Sequence, residues 1–239
     1  PHAYRKDYSS DELREIRKTI EDGGARVSSF LPAFHRYPYL LSSPNEVVRK
    51  DSVQYMRECL ESAVLLGSPI LLVVPEKSLF DQDPSDARAR LLQSIREICE
   101  FSEGYPIKLG LEPVNHFVSD MVNTAGEAMA VIAEIGHPAL GIVLDTGHIN
   151  LANESIEDAV AICGESLLQV HVNDNDGVHQ QNLIPGEGIF DFAHLLGVLQ
   201  AAGFDGFLSA ELGYHYTHDP VPAAESTLNI MRGMLEIIQ

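Results

Sequence analysis

The sequence predicts an α/β fold built on parallel strands, and three observations predict it. Apolar runs of strand length alternate with longer segments of helical period along the whole chain, the pattern of repeated βαβ units. Several runs are apolar at every position, such as Ile70–Val74 (I-L-L-V-V) and Leu140–Leu144 (L-G-I-V-L). Strands buried on both faces belong to parallel sheets covered by helices. Four successive runs end in a side chain able to hold a cation: Glu112, Asp145, His171 and Glu211. A closed (β/α)8 barrel brings such tips to one mouth, whereas an open doubly wound sheet spreads them in a row. No G-x-G-x-x-G turn follows any strand, which also favours the barrel. Only six strands are readable, two short of closure.

The elements follow in order. Residues 1–10 are polar and irregular. Ser9 and Glu12 form a capping box for a helix through Asp22, stopped by Gly23-Gly24. A short strand is expected at Arg26–Leu31, then a Pro- and aromatic-rich loop, P-A-F-H-R-Y-P-Y, holding His35 and Tyr37. A helix runs from about Pro44 to Leu66 and ends at Gly67. The strand Ile70–Val74 precedes a loop and a helix at Ser85–Glu103; the strand Ile107–Glu112 follows. Thr124 and Glu127 are a second capping box, for a helix ending at Ile135 before Gly136. The strand reaching Asp145 leads through a turn with Gly147 and His148 to a helix near Ser155–Cys163. The strand Leu167–Val172 opens a long polar loop, then a helix at Phe192–Ala202, the strand Phe207–Glu211 and a last helix. No linker or low-complexity stretch interrupts this, so residues 1–239 are expected to form one domain.

Composition excludes several classes. With 16 Lys and Arg against 35 Asp and Glu, the formal net charge is -19. That argues against a nucleic-acid partner, which needs a basic surface, and against an anionic membrane surface. No apolar stretch is long enough to span a bilayer. Cys59, Cys99 and Cys163 have no metal-type spacing and read as reduced packing residues, which points to a cytoplasmic setting.

Three carboxylates and an imidazole make a mixed oxygen and nitrogen donor set. It suits Mn²⁺, Mg²⁺, Co²⁺ or Zn²⁺. Without a cation the carboxylates would repel and raise one another's pKa. His148, three residues past Asp145, is placed to touch a substrate rather than the ion. Asn115 and His116, after Glu112, are further substrate-contact candidates, and His35 and Tyr37 could wall the same pocket. Glu187, in the turn P-G-E-G, is placed to orient a ligand. His2, His179, His215 and His218 read as solvated loop histidines.

Taken together, L-E-P-V-N, V-L-D-T-G-H-I-N, V-H-V-N-D-N-D-G, I-P-G-E-G and S-A-E-L resemble the xylose isomerase-like TIM barrels. Within that family the motifs are most similar to the sugar epimerases related to D-tagatose 3-epimerase and fructoselysine 3-epimerase. The resemblance spans nearly the whole chain. It implies a divalent ion, Mn²⁺ first, on Glu112, Asp145, His171 and Glu211. It also implies that Glu112 and Glu211 are the acid/base pair, that His148 contacts substrate, and that the substrate is a small keto sugar. A homo-oligomer is compatible with it.

Two positions depart from the family pattern. Val118 stands where a second glutamate is usual, and the neighbourhood of Gly177 where an arginine is common. Both touch substrate in the family, so the sugar itself is left open. The opening P-H-A-Y resembles the loop after the second barrel strand, which implies a barrel lacking its first two strands in this chain. An inosose-type dehydratase could use the same site. An apurinic-site endonuclease is disfavoured by Gln180 and Asn182, which stand where extra zinc ligands are needed, and by the acidic charge. A glycosidase using two carboxylates would leave Asp145 and His171 without a role.

Overall fold

The computed structural model describes residues 4, 7–32, 34 and 38–238. Five parallel strands, β1 (Ile70–Val73), β2 (Lys108–Leu111), β3 (Leu140–Asp145), β4 (Leu167–Val172) and β5 (Phe207–Ala210), neighbour one another in chain order. Helices α1 (Ser10–Asp22), α2 (Glu46–Leu66), α3 (Pro84–Ser102), α4 (Ala125–Ile135), α5 (Thr146–Ala152), α6 (Ile156–Cys163), α7 (Phe192–Ala201) and α8 (Pro220–Ile238) precede, connect and follow them. No helix among the described residues is long and apolar enough to cross a membrane.

The chain forms two compact units. The first takes Pro1–Glu112, Phe117–Val122 and Ala130–Gly141. Here α1 packs on α2 and α2 on α3, and β1 pairs with β2 from Ile70↔Lys108 to Val73↔Leu111. Leu71, Leu91, Ile95 and Ile98 are fully enclosed, and so is Tyr55, stacked on Tyr39 at 4.1 Å. Arg49 is also buried. Its guanidinium is held by Glu46 at 2.8 Å, Glu97 at 2.9 Å and Ser94 at 3.0 Å, partners that a buried cation needs. Both expected helix boundaries are observed: the Ser9–Glu12 box is closed, and Gly67 ends α2 in the left-handed region.

The second unit takes Pro113–His116, Asn123–Met129 and Ile142–Gln239. The Thr124–Glu127 capping box lies here, with reciprocal hydrogen bonds of 3.2 and 3.3 Å. β4 pairs with β3 and with β5, setting Asp145 beside His171 and His171 beside Ser209. Phe192, Leu195 and Leu199 of α7 are buried, and α7 packs against α6 and α8.

Two elements differ from expectation. Arg26–Leu31 is not a strand: only Phe30 bridges to β1, through Phe30 N–Ile70 O at 2.8 Å and Leu72 N–Phe30 O at 3.0 Å. The next ladder donor would be residue 32, a proline with no N–H. The stretch after Asp145 is helix rather than turn. Asp145 caps it, accepting from His148 N at 2.8 Å, so His148 is the third residue of α5.

Candidate metal centre

Each candidate side chain owes its place to the end of a strand. Glu112 directly follows β2 and is held by Glu112 N–Val73 O at 3.1 Å. Asp145 is the last residue of β3, His171 the fifth of β4, and Glu211 the first after β5, held by Glu211 N–Val172 O at 3.2 Å. Glu112 is also the residue whose peptide bond to Pro113 passes the chain into the second unit. One donor atom from each of Glu112, Asp145, His171 and Glu211 lies within 4.8 Å of the others.

Within the second unit the geometry is closely defined. His171 Nδ1 and Glu211 Oε2 are 2.9 Å apart. Asp145 is 2% exposed; its Oδ1 takes the His148 N–H, and its Oδ2 takes Asn173 Nδ2 at 2.5 Å. Burial, then the charge of Glu211, pushes the Asp145 carboxyl up to about 7, against the opposing pull of His171 and two hydrogen bonds. Burial acts upward on Glu211 too, but the hydrogen bond and charge of His171, with His148 behind them, hold its carboxyl below the usual range. Asp145 therefore feels the charges of Glu211 and His171, and Glu211 those of His171 and His148. A bound cation would relieve this repulsion, and the donor set matches a small divalent ion of the kind taken by carboxylate and imidazole.

The other candidates fall in distinct places. His148 is half-buried, and its Nδ1 lies 2.7 Å from Asn115 Nδ2; Asn115, 1% exposed, also reaches Gln180 Oε1 at 3.2 Å. His116 is exposed on the following turn. Glu187 is exposed and accepts from Tyr216 OH at 2.5 Å; it lies outside the four-residue donor group. His35, Tyr37 and His2 lie outside the described residues. His179, His215 and His218 are exposed, as expected.

Sequence reasoning passed over the asparagines and aspartate after His171. Asn173 ties β4 to α5: its N–H goes to Thr146 Oγ1 at 2.9 Å, its carbonyl accepts from Thr146 Oγ1 at 2.6 Å, and its amide holds Asp145. Gly147 stands in α5 for this reason, because a Cβ there would sit 2.1 Å from Asn173 Oδ1. Asp174 is fully buried and accepts from the N–H groups of Asn175, Gly186, Gly188 and Phe190 at 2.9–3.0 Å. It thereby folds the P-G-E-G turn back onto the strand end. A polar run straight after a buried strand, with glycines a dozen residues on, was the available signal.

The whole of this architecture is matched elsewhere. Residues 1–234 match the family model of the xylose isomerase-like TIM barrel, and the chain belongs to that family. It is 23% identical to fructoselysine 3-epimerase of Escherichia coli O157:H7, over 98% of this chain and 86% of the relative. It is 28% identical to D-psicose 3-epimerase of Enterocloster bolteae, over 82% of this chain and 63% of the relative. Among solved structures, a D-tagatose 3-epimerase-like protein superposes with a TM-score of 0.84 at 26% identity, covering 96% of this chain and 84% of that one.

Proposed function

We propose that this chain is a divalent-metal-dependent epimerase or isomerase of a small keto sugar or sugar derivative. The observation that carries this reading is the convergence of three carboxylates and one imidazole, drawn from four strand ends, within 4.8 Å. The names of the relatives, fructoselysine and D-psicose 3-epimerases, supply the substrate class. Glu112, Asp145, His171 and Glu211 would hold the ion, with Mn²⁺ first and Mg²⁺, Co²⁺ or Zn²⁺ as alternatives. The ion, when bound, supplies a Lewis acid that acidifies the C–H next to a carbonyl and steadies the charge of an enediolate.

The chain's own residues do the rest. Glu211, at the end of β5, is suited to take the proton from the carbon beside the carbonyl; Glu112, from another strand end, returns a proton to that carbon. Asp145 is fixed by His148 N and Asn173 Nδ2 and contributes charge rather than proton transfer. His148 contacts a sugar oxygen, and Glu187 and His116 border the pocket. Incubation with a panel of ketoses in D₂O at saturating Mn²⁺ tests the reading. Epimerised product carrying deuterium at the inverted carbon is expected. Absence of turnover across the panel, or hydride transfer without exchange in every active case, overturns it.

A further inference from the structure

We propose that Asn115 is a positioning residue that locks His148 as the Nε2–H tautomer, making the ring a fixed hydrogen-bond donor to a sugar oxygen. This rests on the function proposed above for its substrate, but its geometry stands alone. Asn115 is buried, and its amide nitrogen faces two atoms: His148 Nδ1 at 2.7 Å and Gln180 Oε1 at 3.2 Å. An amide NH₂ has two hydrogens to give and no lone pair to offer. Gln180 takes one hydrogen, so the other goes to Nδ1, which must then present its lone pair. A neutral imidazole has one proton, and with Nδ1 accepting it sits on Nε2.

The consequence is chemical. Of the two roles open to a neutral imidazole beside a substrate, base or donor, the arrangement leaves the donor. Nε2–H can bond a carbonyl or hydroxyl oxygen, and no free ring lone pair remains to take a proton. This separates the labour of the site, with proton transfer given to the glutamates and orientation to His148. His148 N is committed to Asp145 Oδ1 at 2.8 Å, so the start of α5 fixes where the ring is carried. Gln180 lies in the exposed loop after β4, so that loop reaches the imidazole through a single amide.

The test is the ring ¹⁵N spectrum of His148 in the labelled full chain, with Mg²⁺ in place of paramagnetic Mn²⁺ and the imidazole neutral. A protonated Nε2 and a bare Nδ1 are expected; a protonated Nδ1 overturns the inference. In Asn115→Asp the partner becomes a pure acceptor, so the proton should move to Nδ1. Mn²⁺ affinity should hold while kcat/KM falls about 10²–10³-fold, the cost of losing one oriented donor. A variant with the wild-type ring spectrum and wild-type kcat/KM also overturns it. If Asn115→Asp does not fold, the wild-type spectrum decides alone. If no ketose is turned over, the proposed function fails while the spectrum still decides the tautomer.

Discussion

Glu76 in the first unit and Asp145 in the second are both buried acids near strand ends, and burial pushes both up to about 7. Their surroundings differ. Glu76 lies three residues beyond β1, and its Oε1 accepts from Leu41 N at 2.5 Å. Its Oε2 and the nearby Ser42 Oγ have no hydrogen-bond partner among the described residues. Its backbone carbonyl accepts from Ser119 Oγ at 2.9 Å. The groups that act on it carry no charge. Asp145 instead feels Glu211 and His171 and is gripped by His148 N and Asn173. A raised pKa therefore does not mark a functional site; ionisable neighbours converging on the same point do. Glu76 fastens a loop, and Asp145 belongs to the donor cluster.

The largest effect expected from this contrast is on activity. Glu211→Gln and Glu112→Gln keep side-chain shape and an oxygen but remove the base, so turnover should fall about 10²–10⁴-fold. Glu76→Gln should leave it unchanged. Steady-state assays on a responsive ketose check all three. Full activity in both site variants would break the two-glutamate assignment, and a dead Glu76→Gln would erase the distinction between the two acids.

Metal binding comes next. At a hundredfold excess over Kd, a ligand that binds only the folded state adds about 2.7 kcal/mol, which thermal melts with and without Mn²⁺ should register. Asp145→Asn and His171→Ala should lose most of that increment. Glu76→Gln and His148→Ala should keep it, and His148→Ala should raise KM. Equal metal loss in His148→Ala would make that histidine a ligand.

The wall behind Asp145 can be probed through Gly147. Alanine normally stabilises a helix interior relative to glycine by about 1 kcal/mol, and Gly197→Ala in α7, with open space around its Cβ position, should gain that. Gly147→Ala should instead lose about 1–3 kcal/mol through overpacking, since its Cβ would meet Asn173 Oδ1. Urea melts of the pair check the opposite signs. A stabilised Gly147→Ala would mean that Asn173 moves aside freely and does not fix Asp145.

Much of this was legible in the sequence because strand tips leave a strong mark. An unbroken apolar run such as L-G-I-V-L that stops at Asp145 places a carboxylate at the edge of a core, where it needs a partner. Capping boxes such as Ser9–Glu12 and Thr124–Glu127 follow from local chemistry. Less legible was whatever depends on a partner far along the chain. Arg26–Leu31 has strand-like composition, but Pro32 withholds the N–H that pairing with β1 required. Gly147 read as a turn glycine, although its role is to admit Asn173, 26 positions later. Asp174 is one more acid in a polar loop until the Gly186 and Gly188 N–H groups are folded onto it. Glu76 lies in a loop, as expected, but its burial depends on Leu41, whose N–H reaches it from 35 positions earlier.

The smallest expected effect is the pH dependence contributed by Glu76. The folded protein holds that proton up to about 7, whereas an unfolded chain releases it near 4.3 (roughly the free glutamate value). Between those two values the folded state binds more protons than the unfolded one, so stability falls as pH rises. The contribution is intact below the lower value and fully lost above the upper one. The size of the shift sets a ceiling of roughly 4 kcal/mol. Glutamine cannot titrate, keeps an oxygen for Leu41 N, and offers Ser42 Oγ a donor. Burying the amide costs about 1–3 kcal/mol where its bonds are imperfect, which leaves a net gain on the order of 1 kcal/mol above neutral pH. Urea melts at about pH 5 and about pH 8 should therefore converge for Glu76→Gln more than for wild type. Asp145 shifts in the same direction, so a residual slope should persist in the metal-free variant and shrink when Mn²⁺ holds that carboxylate ionised. A slope unchanged by Glu76→Gln would show that the proton is held elsewhere, and that the contrast between the two acids lies only in their neighbours.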